Sequence, residues 1–92
     1  MKLQQILASS CRQKILLALS KVREIHLSAL VRMTNSTYDQ VHRNLEIFER
    51  EGVVDVRTYG RMKMIGLRHD NPKTEALLKA LHLLENVGDT AN

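Results

Sequence analysis

A chain of 92 residues provides one domain with a single modest core, and it contains no apolar run near the roughly 20 residues that a membrane span needs. Its single cysteine, Cys11, excludes an internal disulfide, and the N-terminus lacks the long apolar centre of a secretory signal, so we expect a cytoplasmic protein in which Cys11 is a small buried residue. The net charge of +4 is concentrated in residues 1–34, with six Lys/Arg against one acid, and in residues 53–69, with four against one, which favours a polyanionic partner.

The first predicted helix begins near residue 11. Ser10 is followed three residues later by Gln13, which is typical of a capping box that closes the first turn of a helix. The preceding LQQILA reads as a separate short helix. Residues at helical spacing form one apolar face of the first helix: Cys11, Ile15, Ala18, Leu19 and Val22.

A second, shorter helix follows an extended stretch. Residues 25–27 place His26 between two apolar side chains, which is typical of either a very short strand or the start of a helix. The helix is predicted to end near Thr34, and Asn35 suits the left-handed conformation of the turn that follows. Its apolar face comprises Leu27, Leu30 and Val31.

The stretch STYDQVHRNLEIFEREGVV predicts a third and longer helix. Two capping boxes fit its start, Ser36 with Asp39 or Thr37 with Gln40. We favour Thr37, because this choice leaves Ser36 for the turn. Gly52 is expected to end the helix. The side chains predicted to be buried are Val41, Leu45 and Phe48, which share one helical face.

Hydrogen-bonding side chains crowd the first half of this third helix, and none of them is needed for a core. A short helix, a tight turn and a longer helix form a helix-turn-helix, which places the start of its second helix in the major groove of DNA. Gln40 can pair with adenine, Arg43 with guanine and Asp39 with cytosine. Tyr38 and His42 can contact a phosphate or a thymine methyl, and the charge of His42 matters near neutral pH. The residues predicted to contact DNA from this helix are Thr37, Tyr38, Asp39, Gln40, His42 and Arg43.

Two alternating segments, VVDVRTYG and RMKMIGLR, predict a β-hairpin. Tyr59 and Gly60 are expected to form its turn, with Gly60 supplying permissive backbone angles. A slender basic hairpin can lie along the phosphate backbone or enter the minor groove, where narrow A·T tracts attract arginine. The basic residues predicted to do so are Arg57, Arg61 and Lys63.

The last predicted helix runs from about residue 72 to 87, with Pro72 in its first turn and a frayed tail at residues 88–92. It carries two apolar stripes, one of Leu77, Leu81 and Leu84 and one of Ala76, Ala80, Leu83 and Val87. Two stripes exceed what one small core buries, so we expect this helix to pack both on its own domain, over the core at residues 9–69, and on a second copy of the chain. The residues predicted at that dimer interface are Leu3, Ile6, Leu7, Leu77, Leu81 and Leu84.

Three segments resemble parts of one protein family. ASSCRQKILLALS looks like the first helix, HLSALVRMTNSTYDQVHRNLEIFEREGVV like the helix-turn-helix, and RTYGRMKMIGL like the wing of winged helix-turn-helix transcription regulators of the arsenic-repressor and multiple-antibiotic-resistance types. The match covers about residues 9–68. It implies a mostly α fold with a three-helix core, a β-hairpin wing and a C-terminal dimerisation helix. It also implies a nucleoid-associated homodimer on double-stranded DNA, with wing contacts at Tyr59 and Gly60 beside Arg57, Arg61 and Lys63.

Other classes of function receive little support from the sequence. Metal-sensing relatives carry cysteine pairs or clustered ligands, whereas His82 and Glu85 alone are too weak a signal to predict a metal, and no cofactor is expected. No small-molecule effector site is evident. The chain shows no Ser/His/Asp set and no glycine-rich phosphate loop, so we do not expect an enzyme. The alternative is a winged-helix module that binds protein within a larger assembly, against which the basic hairpin argues.

Overall fold

The described part of the chain folds into four helices and a three-stranded antiparallel sheet. The computed structural model describes the backbone of residues 9–90 and the side chains of residues 9–84. The elements are α1 (Ser10–Ser20), β1 (Ile25–His26), α2 (Leu27–Thr34), α3 (Tyr38–Arg50), β2 (Val54–Tyr59), β3 (Met62–Leu67) and α4 (Pro72–Thr90). This order confirms the predicted fold of three helices, a hairpin wing and a last helix. None of these helices has both the length and the apolar character to cross a membrane.

A serine caps α1, one residue earlier than predicted. The Ser9 hydroxyl accepts a hydrogen bond from the Arg12 amide at 3.3 Å. The predicted capping box of Ser10 with Gln13 is therefore wrong, because the cap is Ser9 and the third helical position is an arginine, which has no acceptor to return the bond. The short helix predicted in LQQILA lies outside the described residues.

The segment before α2 is both a strand and a helix cap, so the two predictions for residues 25–27 are both fulfilled. Ile25 pairs with Ile65 in the sheet, and the His26 ring nitrogen Nδ1 accepts from the Ser28 amide at 3.3 Å. α2 ends at Thr34, as predicted, and Asn35 has a φ of 49° in the left-handed region. This geometry fixes the turn that leads into α3.

One apolar core joins the helices to the sheet. Leu16 belongs to it, although the sequence pattern missed this residue. Leu77 and Leu81 of α4 are each 2% exposed within this core. The prediction that these two leucines form a dimer interface is therefore wrong, because their stripe packs inward on the same protomer. The outward side of α4 exposes 65% of Leu83 and 47% of Leu84. The predicted interface residues Leu3, Ile6 and Leu7 lie outside the described residues.

The sheet places β3 between β1 and β2. Tyr59 pairs with Met62, so the hairpin turn consists of Gly60 and Arg61 and not, as predicted, of Tyr59 and Gly60. Gly60 has a φ of 62° at the first turn position, the feature of a type II′ turn, whose twist matches that of the flanking strands. Strand pairing thus sets the turn one residue later than the glycine alone suggested.

α4 begins where the sequence predicted and ends later. The Asn71 side-chain oxygen accepts from the Lys73 amide at 3.0 Å and caps the helix that starts at Pro72. The helix continues to Thr90, past the predicted end at residue 87. Gly88 does not stop it, because a glycine within a helix costs only about 1 kcal/mol. Most of the tail predicted as frayed is therefore helical, and residues 91–92 lie outside the described part.

Glu51 closes an ion pair between the end of α3 and the start of α4, with Lys73 Nζ at 2.8 Å from its Oε2. The bond from Lys73 is the largest cause of the lowered pKa of Glu51, which is about 2 instead of the ordinary 4.5. Because this pKa is lowered, ionised Glu51 contributes its full stability above about pH 4.5. This contribution is lost as the pH falls toward 2. We expect Glu51→Gln to show a smaller fall in unfolding free energy than the wild type over this pH range, as measured by urea denaturation.

Glu49 offers a matched control for this prediction, since it is an exposed glutamate near the same end of α3. The Glu49→Gln variant should keep the acid sensitivity of the wild type. Equal acid sensitivity in the Glu51→Gln variant and the wild type would contradict the role of the Lys73 bond.

Candidate nucleic-acid interface

The start of α3 presents a row of polar side chains to solvent. The helix is amphipathic, because Val41, Leu45 and Phe48 are buried in the core and fix which side faces outward. The predicted contact residues therefore lie on the solvent-facing side at the start of α3. Thr37, Tyr38, Asp39, Gln40 and Arg43 are exposed, and His42 is half-buried.

Two stacked aromatic rings lie along this surface, one helical turn apart. The rings of Tyr38 and His42 are stacked, with centroids 5.8 Å apart and an angle of 16° between their planes. His42 Nδ1 lies 3.3 Å from a carboxylate oxygen of Glu46, one turn further on. The stack and the carboxylate hold the imidazole in place. The carboxylate of Glu46 therefore lies next to His42, a predicted DNA contact.

Two of the predicted base-reading side chains hydrogen-bond to the helix itself. The predicted capping box is confirmed: Thr37 Oγ1 accepts from the Gln40 amide at 3.2 Å, and Gln40 Oε1 accepts from the Thr37 amide at 3.0 Å. Arg43 Nε donates to the Asp39 carbonyl oxygen at 3.4 Å. The long side chains of Gln40 and Arg43 therefore each make a hydrogen bond to the helix in the absence of a ligand, and Gln40 must break its bond to pair with a base.

The wing directs its basic residues to two different faces. Val56 pairs with Ile65 and Thr58 pairs with Lys63, so Lys63 lies on the same face of the hairpin as the buried Ile65. This inner face looks toward α3, and Lys63 there lines a small cleft of about 60 Å³ together with His42, Glu46 and Glu49.

Arg57 lies on the outer face of the wing. It pairs with Met64 in the hairpin, and its Nε is 3.1 Å from a carboxylate oxygen of Asp55. A second carboxylate, that of Glu24, lies 3.9 Å from Arg57 Nη1. Tyr59 and then Asp55 raise the pKa of Arg57. The structure thus separates Arg57 from Lys63 and surrounds it with acids, which makes it the least available of the predicted wing contacts.

A second cleft, between α2, the start of α3 and the wing, brings Lys63 together with Arg32 and Arg61. It has a volume of about 450 Å³, and we call it the basic cleft. Its lining contains three cationic side chains and a histidine but no carboxylate, and Tyr38 lies at its α3 edge. The residues that line it are His26, Leu27, Ser28, Val31, Arg32, Tyr38, Arg61 and Lys63.

The basic cleft contains residues that the sequence analysis missed. Ser28 and Arg32 lie four residues apart, and both are exposed on one face of α2. This spacing was visible in the sequence, but only the fold shows that this face of α2 is opposite Arg61 of the wing. A second missed pair, Arg12 of α1 and Asn44 of α3, makes a hydrogen bond of 2.8 Å between the two helices.

No group of three or more His, Cys, Asp or Glu side chains is placed to hold a metal ion among the residues that the structure describes. The side chain of Glu85 lies outside the described part, so its position relative to His82 is not described.

Comparison with known proteins finds no matching family model and no matching curated protein. Solved structures do match. The AntR antimony-specific transcriptional repressor has a TM-score of 0.80 and 17% identity, over 97% of this chain and 76% of that one. The homodimeric winged helix-turn-helix DNA-binding domain Mb0332 from Mycobacterium bovis has a TM-score of 0.68 and 22% identity, over 95% and 75%. The MarR family transcriptional regulator SPO1453 from Silicibacter pomeroyi has a TM-score of 0.74 and 16% identity, over 96% and 64%. The chain therefore has the winged helix-turn-helix fold that its sequence resembles.

Proposed function

We propose that this chain, folded as a winged helix-turn-helix, is a dimeric transcriptional regulator that binds double-stranded DNA in a sequence-specific way. The basic cleft carries this proposal. It places Arg32, Arg61 and Lys63 beside the exposed start of α3 without a carboxylate in the lining. Phosphate oxygens are the ligands that such a cluster attracts, and a duplex backbone lying there would bring base edges to α3. AntR and the Mb0332 domain, described respectively as a repressor and as a DNA-binding domain, share the fold.

The side chains divide into those that would read bases and those that would hold phosphates. Arg43 and Gln40 project from the first half of α3, and their head groups match the major-groove edges of guanine and adenine. Arg61 and Lys63 of the wing, with Arg32 of α2, face the cleft where phosphates would lie. We propose that Arg57 contributes less than these, since Asp55 and Glu24 already neutralise its charge.

Dimerisation through the outward side of α4 is part of the proposal. An apolar groove of about 600 Å³ runs between α1 and α4, with Leu17, Leu78 and Leu83 in its lining. Leu83 and Leu84 are two of the most exposed large apolar side chains in the described part of the chain. Burying them on a second copy removes that apolar area from water. The related Mb0332 domain is described as homodimeric, which supports the same state here.

Fluorescence anisotropy with a random-sequence duplex tests the proposal. The association constant should fall steeply with salt, with a slope in log–log form of about −0.9 for each phosphate neutralised. Arg61→Ala should reduce this slope by roughly one. Arg50→Ala, at the far end of α3 and outside both the basic cleft and the groove between α1 and α4, removes the same charge and should leave the slope unchanged.

Absence of binding even at low salt would reject the proposal for this chain. The apolar groove between α1 and α4 would then favour the alternative, a winged-helix module that binds another protein. That function predicts a complex that forms regardless of salt and is lost on replacing Leu83 by aspartate.

A further inference from the structure

A hydrogen-bonded pair connects the DNA-facing helix to the body of the domain. Arg12 Nε on α1 donates to the Asn44 side-chain oxygen on α3 at 2.8 Å. The Asn44 amide nitrogen donates in turn to the Gln40 carbonyl oxygen at 2.8 Å and to Cys11 Sγ at 3.5 Å. Every polar atom of the Asn44 side chain thus points to α1 or back along α3, so Asn44 itself is not available to a base.

The apolar contacts between α1 and α3 decide which face of α3 is buried, but they set its rotation less sharply than a directional bond does. Ile15 and Leu19 of α1 share one apolar core with Leu45 and Phe48 of α3. Apolar contact is non-directional, so the buried face of α3 tolerates small rotations about the helix axis that a hydrogen bond does not. A hydrogen bond weakens steeply once its angle departs from linear, and one with a charged donor is stronger than a neutral one. The Arg12–Asn44 bond supplies the directional constraint that the apolar contact lacks.

We infer that Arg12 and Asn44 are positioning residues that set the rotation of α3 against the domain, and through it the register in which α3 meets base edges. The inference rests on the proposed function. Asn44 lies one residue after Arg43 and one helical turn after Gln40, so its anchoring fixes both base-reading positions at once. Recognition sites need their side chains held within about 10–20° of the productive geometry.

Arg12→Lys is the decisive variant. It keeps the positive charge but puts a methylene group where Arg12 has the donating Nε, so the bond to Asn44 cannot form in its present geometry, and the net charge does not change. Asn44→Ala removes the same bond from the other side. Lys14→Ala is the matched control, because Lys14 lies exposed on the same helix.

The measured quantity is the ratio of the Kd for random duplex to the Kd for an operator that the wild type selects from a random pool, at one salt concentration. We expect Arg12→Lys and Asn44→Ala each to lower this ratio roughly tenfold. Their double variant should lower it no further than Asn44→Ala does, since that variant has already lost the Arg12–Asn44 bond together with the bonds of Asn44 to Gln40 and Cys11. Affinity for random duplex should stay close to that of the wild type in both single variants, and Lys14→Ala should keep the wild-type ratio.

A role in stability alone would give a different result. If the two Kd values rise together and the ratio is unchanged in folded variants, or if the two single effects add in the double variant, the inference is wrong. Circular dichroism melting identifies a variant that fails to fold, and Arg12→Lys then decides alone. Failure of the wild type to bind DNA overturns the proposed function, whereas a selected operator with unchanged ratios overturns only the positioning role.

Discussion

Replacing Leu81 by alanine should lower the free energy of unfolding by about 2–5 kcal/mol. The side chain is 2% exposed and lies in the core, where α4 packs on α1. Truncation removes its buried apolar area and leaves a cavity that the surrounding helices fill only in part. Urea denaturation at fixed protein concentration measures the loss, which would consume a large fraction of the stability of a domain of this size.

Leu83→Ala is the matched control for Leu81→Ala, since it makes the same chemical change two residues further along the same helix. Leu83 is 65% exposed, so the unfolding free energy of a protomer should change by no more than about 0.5 kcal/mol. Sedimentation should instead show weaker dimerisation for Leu83→Ala. A Leu81→Ala protein of unchanged stability that sediments as a monomer would place Leu81 at the interface after all.

Arg43→Ala should lower affinity for the selected operator by about 1–3 kcal/mol and relax the base preference at one position. The exposed guanidinium projects from the first half of α3 and is steadied by its bond to the Asp39 carbonyl oxygen. Affinity for random duplex should change far less, because a base contact carries sequence information that a phosphate contact does not.

Lys63→Ala provides the contrast to Arg43→Ala. Lys63 faces the basic cleft from the wing, so its loss should weaken operator and random duplex alike and reduce the salt slope by about one. Competition anisotropy with single-base operator variants distinguishes the two effects. Equal losses on operator and random duplex for both variants would contradict the division between base-reading and phosphate-holding side chains.

Features set by local chemistry were predictable from the sequence. The Thr37–Gln40 cap, the left-handed Asn35 and the positive φ of 73° at Gly52 depend on residues within one turn of each other. The Tyr59-Gly60 dipeptide did not predict that Gly60 takes the first position of a type II′ turn. The pairing of Tyr59 with Met62 decides which two residues form the turn.

Features set by tertiary packing could not be read from the sequence. Both apolar stripes of α4 look equally able to face the core, and only packing on α1 shows that Leu77 and Leu81 are the inner ones. Arg57 and Lys63 likewise read as one basic cluster, although the alternation of the strand directs them to opposite faces. The place of Arg32 in the basic cleft depends on the approach of α2 to the wing, over a separation in sequence that no local pattern spans.

The capping box of α3 has a consequence for how an operator would be read. The Gln40 side chain that matches adenine is also the one whose oxygen accepts from the Thr37 amide. A Gln40 that swings out to a base gives up this bond but leaves the cap from Thr37 Oγ1 to the Gln40 amide intact, and one such hydrogen bond stabilises a protein by about 0.5–1.5 kcal/mol. The net preference for adenine at that position would therefore be the free energy of the Gln40–adenine contact minus that of the lost bond to Thr37. It would be weaker than the contact in the complex suggests. Selection pressure on this position would act on helix initiation and operator choice together.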